Sequence, residues 1–532
     1  MTNSASWYQT AVFYELHVRA FSDSNGDGHG DLRGLITRLD YLRDLGVNCV
    51  WLLPINPSPL HDDGYDVADY RNIHPDFGTL DDFRELIAQA HQRGLRILMD
   101  LVLNHTSEQH AWFQAARSDR HSPYRDFYVW SDTDQKYADV RIVFCDVEPS
   151  NWTWDEVAGQ YYWHRFYRQQ PDLNYDNPAV RAEMLDVARF WLDLGVDGFR
   201  LDAVTYLFER EGTDCAGLPE THAYLKDLRR LIDTHYPDRV LLCEANLWPG
   251  ELRAYFGGEI NDECQMGFHF PLMPRVFMAL AQADRTPIVE ILAQTPQLPA
   301  GAQWATFLRN HDELTLEMVT PEERDFMWQT YAPEPRMKIN LGIRRRLAPL
   351  LNHDARLIKL ANSILLTLTG SPVLYYGDEI GLGDNIWLDD RNGVRTPMPW
   401  NSSVNAGFSA TDHLYAPLGA DYATVNVAAQ QADPASVLNW FKHALHVRQQ
   451  HPALGQGELH WLPNDQPALL AYWRIHHADR VLVINNLSAQ VQAIDLPADA
   501  AYFDLLSKSL VTQHSSLQPY QCLWLTPSIA QS

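Results

Sequence analysis

The 532-residue chain has only six cysteines, and no two of them stand in a Cys-x-x-Cys spacing. Cys49 and Cys243 lie inside apolar runs and read as buried thiols, which fits a reducing cytosol better than a disulfide scaffold. Positive charge is also scarce: 42 Lys and Arg against 68 Asp and Glu leave a formal charge of −26. A surplus of that sign repels phosphate backbones and anionic headgroups, so neither nucleic-acid nor membrane partners are expected. No apolar run approaches the roughly 18 residues that a membrane span requires. The N-terminus shows neither the basic start nor the apolar stretch of a signal peptide. Together these absences predict a cytoplasmic globular protein, and homo-oligomerisation stays open. No HExxH or similar zinc spacing occurs either.

What is present is strand-like apolar runs alternating with helical patterns over the first three-quarters of the chain. The runs cover 12–18, 47–53, 96–103, 196–204, 240–245, 265–270, 304–310 and 372–376. Eight such runs predict an α/β fold, a closed (β/α)8 TIM barrel whose chemistry sits at the C-terminal strand ends. Between the first two runs, Leu32, Leu35, Ile36, Leu39, Leu42 and Leu45 follow helical spacing. Thr79 with Asp82 resembles a capping box opening a further helix. After the third run the next helix signal is at Asn177, and a gap of ~70 residues is too long for a bare loop, so a small inserted domain is expected. Past about Gly457 the pattern becomes short alternating runs. The predicted organisation is a catalytic barrel over 1–105 and 170–455, with inserts at about 313–355 and 381–435. A small domain over 106–169 interrupts it after strand three, and an antiparallel β-sandwich fills 456–532. The inserts all leave the catalytic end of the barrel and are expected to roof it.

Three of the runs lead into carboxylates: Asp202 after Gly198-Phe199-Arg200-Leu201, Glu244 after Leu241-Leu242-Cys243, and Asp312 after Asn310-His311. Only a fold can gather residues so far apart. Two carboxylates astride a glycosidic bond, one nucleophilic and one protonated, are what retaining sugar chemistry requires. Arg200 shares a strand face with Asp202 and is expected to depress its pKa. Glu244 follows a run apolar on both faces, so burial is expected to raise its pKa toward that of a general acid. His105 and His311, at other strand ends, are read as donors to sugar hydroxyls rather than as metal ligands. The 17 Trp and 24 Tyr include rings suited to the apolar faces of sugars, although most must serve the core. Separately, Asp23, Asn25, Asp27, His29 and Asp31 alternate with Gly26, Gly28 and Gly30. The order matches the first half of an EF-hand loop and is read as a structural Ca²⁺ or Mg²⁺ site, against a plain Asn-Gly/Asp-Gly turn cluster. No organic cofactor is called for.

These segments resemble the α-amylase family, glycoside hydrolase family 13. Asp100-Leu101-Val102-Leu103-Asn104-His105, Gly198 through Val204, Glu244 and Asn310-His311-Asp312 are similar to its four signature regions. The resemblance implies Asp202 as nucleophile, Glu244 as acid/base and Asp312 as a substrate-distorting carboxylate. It implies Arg200, His105 and His311 at the sugar, Tyr65 as a stacking ring, and Asp62 with Arg395 as a pair closing the glucosyl pocket. It further implies a Ca²⁺ held by Asn104, Asp172, Glu209 and the carbonyls of Tyr206 and Leu207. Longer segments, among them Ser58 to Tyr65 and Asn310 to Met318, resemble the branch of the family that interconverts maltose and trehalose. That resemblance covers residues ~7–410 and loosens beyond them. It implies a small disaccharide substrate and an intramolecular double displacement. The chain departs from the family at Pro399, where Gln is usual. The rival readings are an α-glucosidase or maltose hydrolase of the same family and an inactive amylase-like binding protein.

Overall fold

The computed structural model describes residues 6–411, 413–497 and 501–528. The first five positions, residue 412 in the loop after the last barrel strand, and parts of the C-terminal segment lie outside the described residues. Eight parallel strands close into one barrel: β1 (Phe13–Leu16), β2 (Cys49–Leu52), β3 (Arg96–Val102), β4 (Gly198–Asp202), β5 (Val240–Cys243), β6 (Met266–Phe268), β7 (Gln303–Phe307) and β8 (Ser371–Tyr375), with β8 returning to β1. All eight coincide with the apolar runs, because a strand covered by side chains inside the barrel and by helices outside must be apolar on both faces. Gly198 shows what closure demands. Its φ is +154°, and a Cβ there would stand 2.1 Å from the Val240 carbonyl oxygen of β5.

The helices start where the sequence caps them. Asp31 accepts the Gly34 N–H at the head of Leu32–Leu45, which ends on Gly46 with φ +100°. Thr79 and Asp82 form the expected capping box of Leu80–Gln92. The strand register then levels the chemistry. Val102 pairs with Asp202, and the Glu244 N–H donates to the Leu201 carbonyl at 3.0 Å, so Asp202 and Glu244 emerge side by side at the C-terminal mouth.

Three excursions rise from that mouth. Between β3 and β4 lie a helix, Ala111–Ser118, and an antiparallel sheet of Trp130–Ser131, Trp152–Asp155 and Gln160–Trp163. The helix precedes the Asn177 start expected from the sequence; at eight residues it is too short for its periodicity to stand out. After β7 come a three-stranded ribbon and the helix Pro321–Tyr331. The long loop after β8 is pinned to the barrel by Trp400, whose indole donates to the Phe21 carbonyl at 2.7 Å. At the departure from the family pattern, the Pro399 carbonyl accepts the Val427 N–H at 3.0 Å.

The C-terminal part is a six-stranded antiparallel sheet with a two-stranded ribbon, Gln492–Asp495 and His514–Leu517, on one face. Alternate residues face opposite ways. Leu469, Ala471, Leu482, Ile484, Leu523 and Leu525 join the ribbon in a local core, while Leu470, Tyr472, Val481, Val483 and Trp524 belong to the core of the barrel. The strand period of two thus gives the sheet two buried faces. The Trp524 indole donates to Ser363 Oγ at 2.9 Å, on the barrel helix Ala355–Thr367. Among the described residues no helix is long and apolar enough to cross a membrane.

Candidate active site

Arg200 organises the mouth of the barrel. It is fully buried on β4, and its Nη1 donates to Asp100 and Asp202 at 2.6 Å each while Nη2 meets Glu244 at 2.7 Å. Two carboxylates on the two Nη atoms of one guanidinium are near neighbours. Ala203, directly after Asp202, sits at φ +48°, a left-handed conformation uncommon for a residue with a Cβ. This turn points its N–H at Glu244 Oε2, 3.2 Å away.

The electrostatics amend two expectations. Burial pushes the Asp202 carboxyl well above the usual carboxylate range; Arg200 opposes it, while Glu244 and Asp100 add to it. The depression expected from Arg200 alone is therefore reversed, because burial outweighs a guanidinium shared among three acids. Glu244 is less buried than its apolar run implies, with its side chain 20% exposed.

Asp312 lies in the opposite environment. His311, Arg391 and Arg395 overcome its burial and hold its carboxyl well below the usual range. The Tyr65 hydroxyl joins the two halves, lying 3.0 Å from Asp100 Oδ2 and 2.9 Å from His311 Nε2. Its ring stacks on His311 at 5.3 Å. The His105 Nε2 sits 3.1 Å from the Tyr65 carbonyl, and burial lowers this imidazole to about 3, so it is neutral.

The expected closing pair does not form. Asp62 pairs with Arg391 at 2.8 Å, not with Arg395. Arg395 instead holds Asp63 at 2.6 Å and Asp312 at 2.9 Å. Arg391 also binds Asp312 at 2.8 Å, bridging the two acids. The two arginines are four residues apart in the loop after β8, and that turn gives the nearer one to Asp62. Burial raises Asp62 to about 6 against the pull of Arg391 and Arg395.

These groups enclose a cavity of about 870 Å³, mouth included, with carboxylates on its floor and Tyr65, Phe144, Phe166, Tyr206 and Phe270 on its walls. Its size suits a disaccharide. The rim is tied across three segments by residues that sequence reasoning missed. Glu317, after β7, accepts from Arg141 of the first insert at 3.1 Å and from Asn246, after β5, also at 3.1 Å. Glu317 stands six residues past His311 in a segment already singled out, whereas Arg141 carried no sequence signal.

Among the described residues no three His, Cys, Asp or Glu side chains gather as a metal cluster, so a cation at either expected place would lean on amide and carbonyl oxygens. The second place fits that description. Asn104 Oδ1, Asp172 Oδ2 and Glu209 Oε1 are buried without a hydrogen-bond partner among the described residues. Burial lifts Asp172 to about 8, and burial with Asp172 beside it lifts Glu209 well above its usual range. Tyr206 and Leu207 follow in the turn beyond Asp202. In the loop at 23–31, Asp23 accepts the N–H groups of Asn25, Gly26 and Gly28, Asn25 that of Asp27, and Asp27 that of His29. Asp31 caps its helix, and the His29 ring stacks on Tyr415. Ser409 gives Asp23 a fourth bond and fills its lone pairs, and Ser24 donates twice to Asp31, so the acceptor sites left for a hard cation lie mainly on Asp27.

A parallel barrel bearing two carboxylates on one arginine at its C-terminal mouth has the parts of a sugar-processing enzyme. The catalytic-domain model of the α-amylases matches residues 15–330 and 343–457, and that of the maltogenic-amylase C-terminal domain matches 459–524. The chain belongs to the α-amylase family. It is 58% identical over 513 residues to the trehalose synthase/amylase TreS of Mycolicibacterium smegmatis, spanning 93% of this chain and 86% of that protein. It is 56% identical over 507 residues to the trehalose synthase of Pimelobacter sp. strain R48, spanning 92% and 88%. The crystal structure of the trehalulose synthase MutB of Pseudomonas mesoacidophila MX-45 matches with a TM-score of 0.81 at 28% identity, over 98% of this chain and 100% of that one.

Proposed function

We propose that this chain interconverts maltose and trehalose by moving one glucosyl unit within an enclosed pocket. The observation that carries the reading is the pair of carboxylates, Asp202 and Glu244, on one guanidinium beneath a rim bridged by Arg141, Glu317 and Asn246. Asp202 attacks the anomeric carbon of the non-reducing glucose. The glycosidic C–O bond breaks, and the Glu244 proton passes to the departing 4-oxygen. The freed glucose turns and presents its anomeric hydroxyl. That oxygen attacks the glucosyl carbon, its proton returns to Glu244, and Asp202 leaves. Two inversions give retention. Asp62, Arg391 and Asp312 close the far end, which restricts the pocket to a chain terminus. His311 stands ready to donate to a sugar hydroxyl, whereas the single N–H of neutral His105 is given to the Tyr65 carbonyl.

Water competes for the same intermediate, so the rim decides between isomerase and hydrolase. The test is product analysis of the pure protein on maltose and, separately, on trehalose. Each should yield the other with glucose as the minor product; glucose alone from both would establish the maltose-hydrolase reading instead. Arg141→Ala should raise the glucose fraction several-fold while total maltose consumption falls less than about tenfold, since a half-exposed ion pair contributes little to folding. An unchanged product ratio would show that the bridge does not hold water out.

We further infer that a Ca²⁺ is held by Asn104, Asp172, Glu209 and the Tyr206 and Leu207 carbonyls, with a second Ca²⁺ or Mg²⁺ in the loop at 23–31. At the first place a cation neutralises two buried acids and ties the end of β3 to the turn after β4. Without it, folded Asp172 keeps its proton to about 8 whereas an unfolded chain releases it near 3.8. The folded form then binds more protons, so metal-free stability declines as pH rises between those values. Chelation should therefore lower Tm more at pH 8 than at pH 5, and Asp172→Asn should remove most of that difference. An EDTA effect independent of pH would exclude this site.

A further inference from the structure

Glu15 is a fully buried carboxylate on β1, between Tyr14 and Leu16. Its Oε1 accepts from His311 twice: from Nδ1 at 2.6 Å and from the backbone N–H at 3.1 Å. Its Oε2 has no partner among the described residues. The other ring nitrogen of His311 faces two residues that line the pocket, 3.2 Å from Asp312 Oδ2 and 2.9 Å from the Tyr65 hydroxyl. The imidazole thus lies between two carboxylates, one behind it and one at the sugar.

We propose that Glu15 is a positioning residue that holds His311 as an imidazolium, so that its Nε2–H is fixed toward the glucosyl unit and Asp312. The proposal rests on the assignment of this pocket to a glucosyl substrate. Besides His311, Glu15 feels one other positive charge, the more weakly acting Arg200. Arg200, which faces it from β4, is committed to Asp100, Asp202 and Glu244. Arg395 donates to the His311 carbonyl but is paired with Asp63 and Asp312. Trp51 from β2 meets the imidazole edge-on, Asp100 from β3 adds a further negative charge within its field, and Tyr375 and Asp378 approach Glu15 from the β8 side. Burial works against a charged imidazole here, yet Asp312 and Glu15 outweigh it and push His311 up to about 9. With the glutamate replaced by a neutral group, Asp312 and the weaker field of Asp100 would be left to support the charge, and His311 would then fall back toward the ordinary histidine range.

The consequence is a sugar pocket that keeps its affinity into alkaline solution. A donor that touches the glucosyl unit before and during reaction acts mainly on binding. Glu15→Gln keeps the shape of the side chain and removes the charge. Steady-state kinetics from pH 6 to 10, followed as maltose disappearance whatever the product, should show a wild-type KM that stays flat to near pH 9. In Glu15→Gln the rise in KM should begin about one to two pH units lower, with kcat within about threefold of wild type below the rise. Calorimetric binding of maltose to Asp202→Asn, with and without Glu15→Gln, should show the same displacement in Kd. That arm needs no turnover, so it separates failure of this proposal from failure of the isomerase assignment. His311→Gln should abolish the alkaline rise, and it serves as the second variant should Glu15→Gln not fold. An alkaline limb of KM at wild-type pH in Glu15→Gln, or one surviving in His311→Gln, would overturn the proposal.

Discussion

Asp202→Asn loses trehalose and glucose formation together, with kcat on maltose falling by ~10⁴-fold or more, as expected when a covalent nucleophile is removed. Both products descend from one glucosyl-enzyme, so neither route should outlive the other. The fold should not suffer. Asp202 is a buried acid crowded by Glu244 and Asp100, and burial works against the charge it must carry as a nucleophile. The amide takes the same space without that repulsion, so thermal unfolding should show an equal or higher Tm, a common relation between catalytic residues and stability. Trehalose formation within tenfold of wild type would displace Asp202 from the nucleophile's role, and a collapsed Tm would make it structural.

Arg391→Ala is the second large effect. The guanidinium is 5% exposed and serves Asp62 and Asp312 at once. Removing one member of a buried, hydrogen-bonded ion pair leaves its partners uncompensated, at about 3–5 kcal/mol. Expressed at the glucosyl site, this predicts a fall in kcat/KM of about 10²–10³-fold. Arg391 also draws down Asp62, which stands at about 6 with the arginine in place. Its removal should move the acidic limb of kcat/KM to higher pH. Arg391→Lys should recover only part of the activity, because a single ammonium cannot make both directed contacts. Activity within threefold of wild type in Arg391→Ala would show that the bridge closes nothing the substrate uses.

The barrel and its acids were legible for one reason: buried parallel strands are written as apolar runs, and carboxylates that end them stand out. Asp202, Glu244 and Asp312 all announced themselves that way. Arg391 did not, because it lies in an aperiodic loop and meets Asp62 across 329 positions. The neighbouring Arg395 matched a family pattern and was assigned the contact that belongs to Arg391. Arg141 had no signal, since an exposed arginine in an irregular segment looks like any solvated charge. Glu15 was different. A glutamate within the run Val12-Phe13-Tyr14-Glu15-Leu16 is an acid in an apolar strand, a signal that the strand assignment alone passed over. What the run could not supply was its partner, 296 positions away. Site acidities resisted for the same reason: Arg200 and Asp202 share a strand, but the burial that reverses the expected shift, and Glu244 and Asp100 that add to it, come from the assembled barrel.

The C-terminal sheet buries alternate residues in two cores, one its own and one shared with the barrel. A unit locked on both faces has no plane along which to slide and no hinge about which to swing. Barrel and sheet therefore form one stiff frame, and whatever motion admits a disaccharide and releases its isomer is left to the few residues bridging the rim. Substitutions in the sheet should consequently be felt as changes in how long the molecule survives heat, whereas substitutions in the rim should be felt as changes in what it makes.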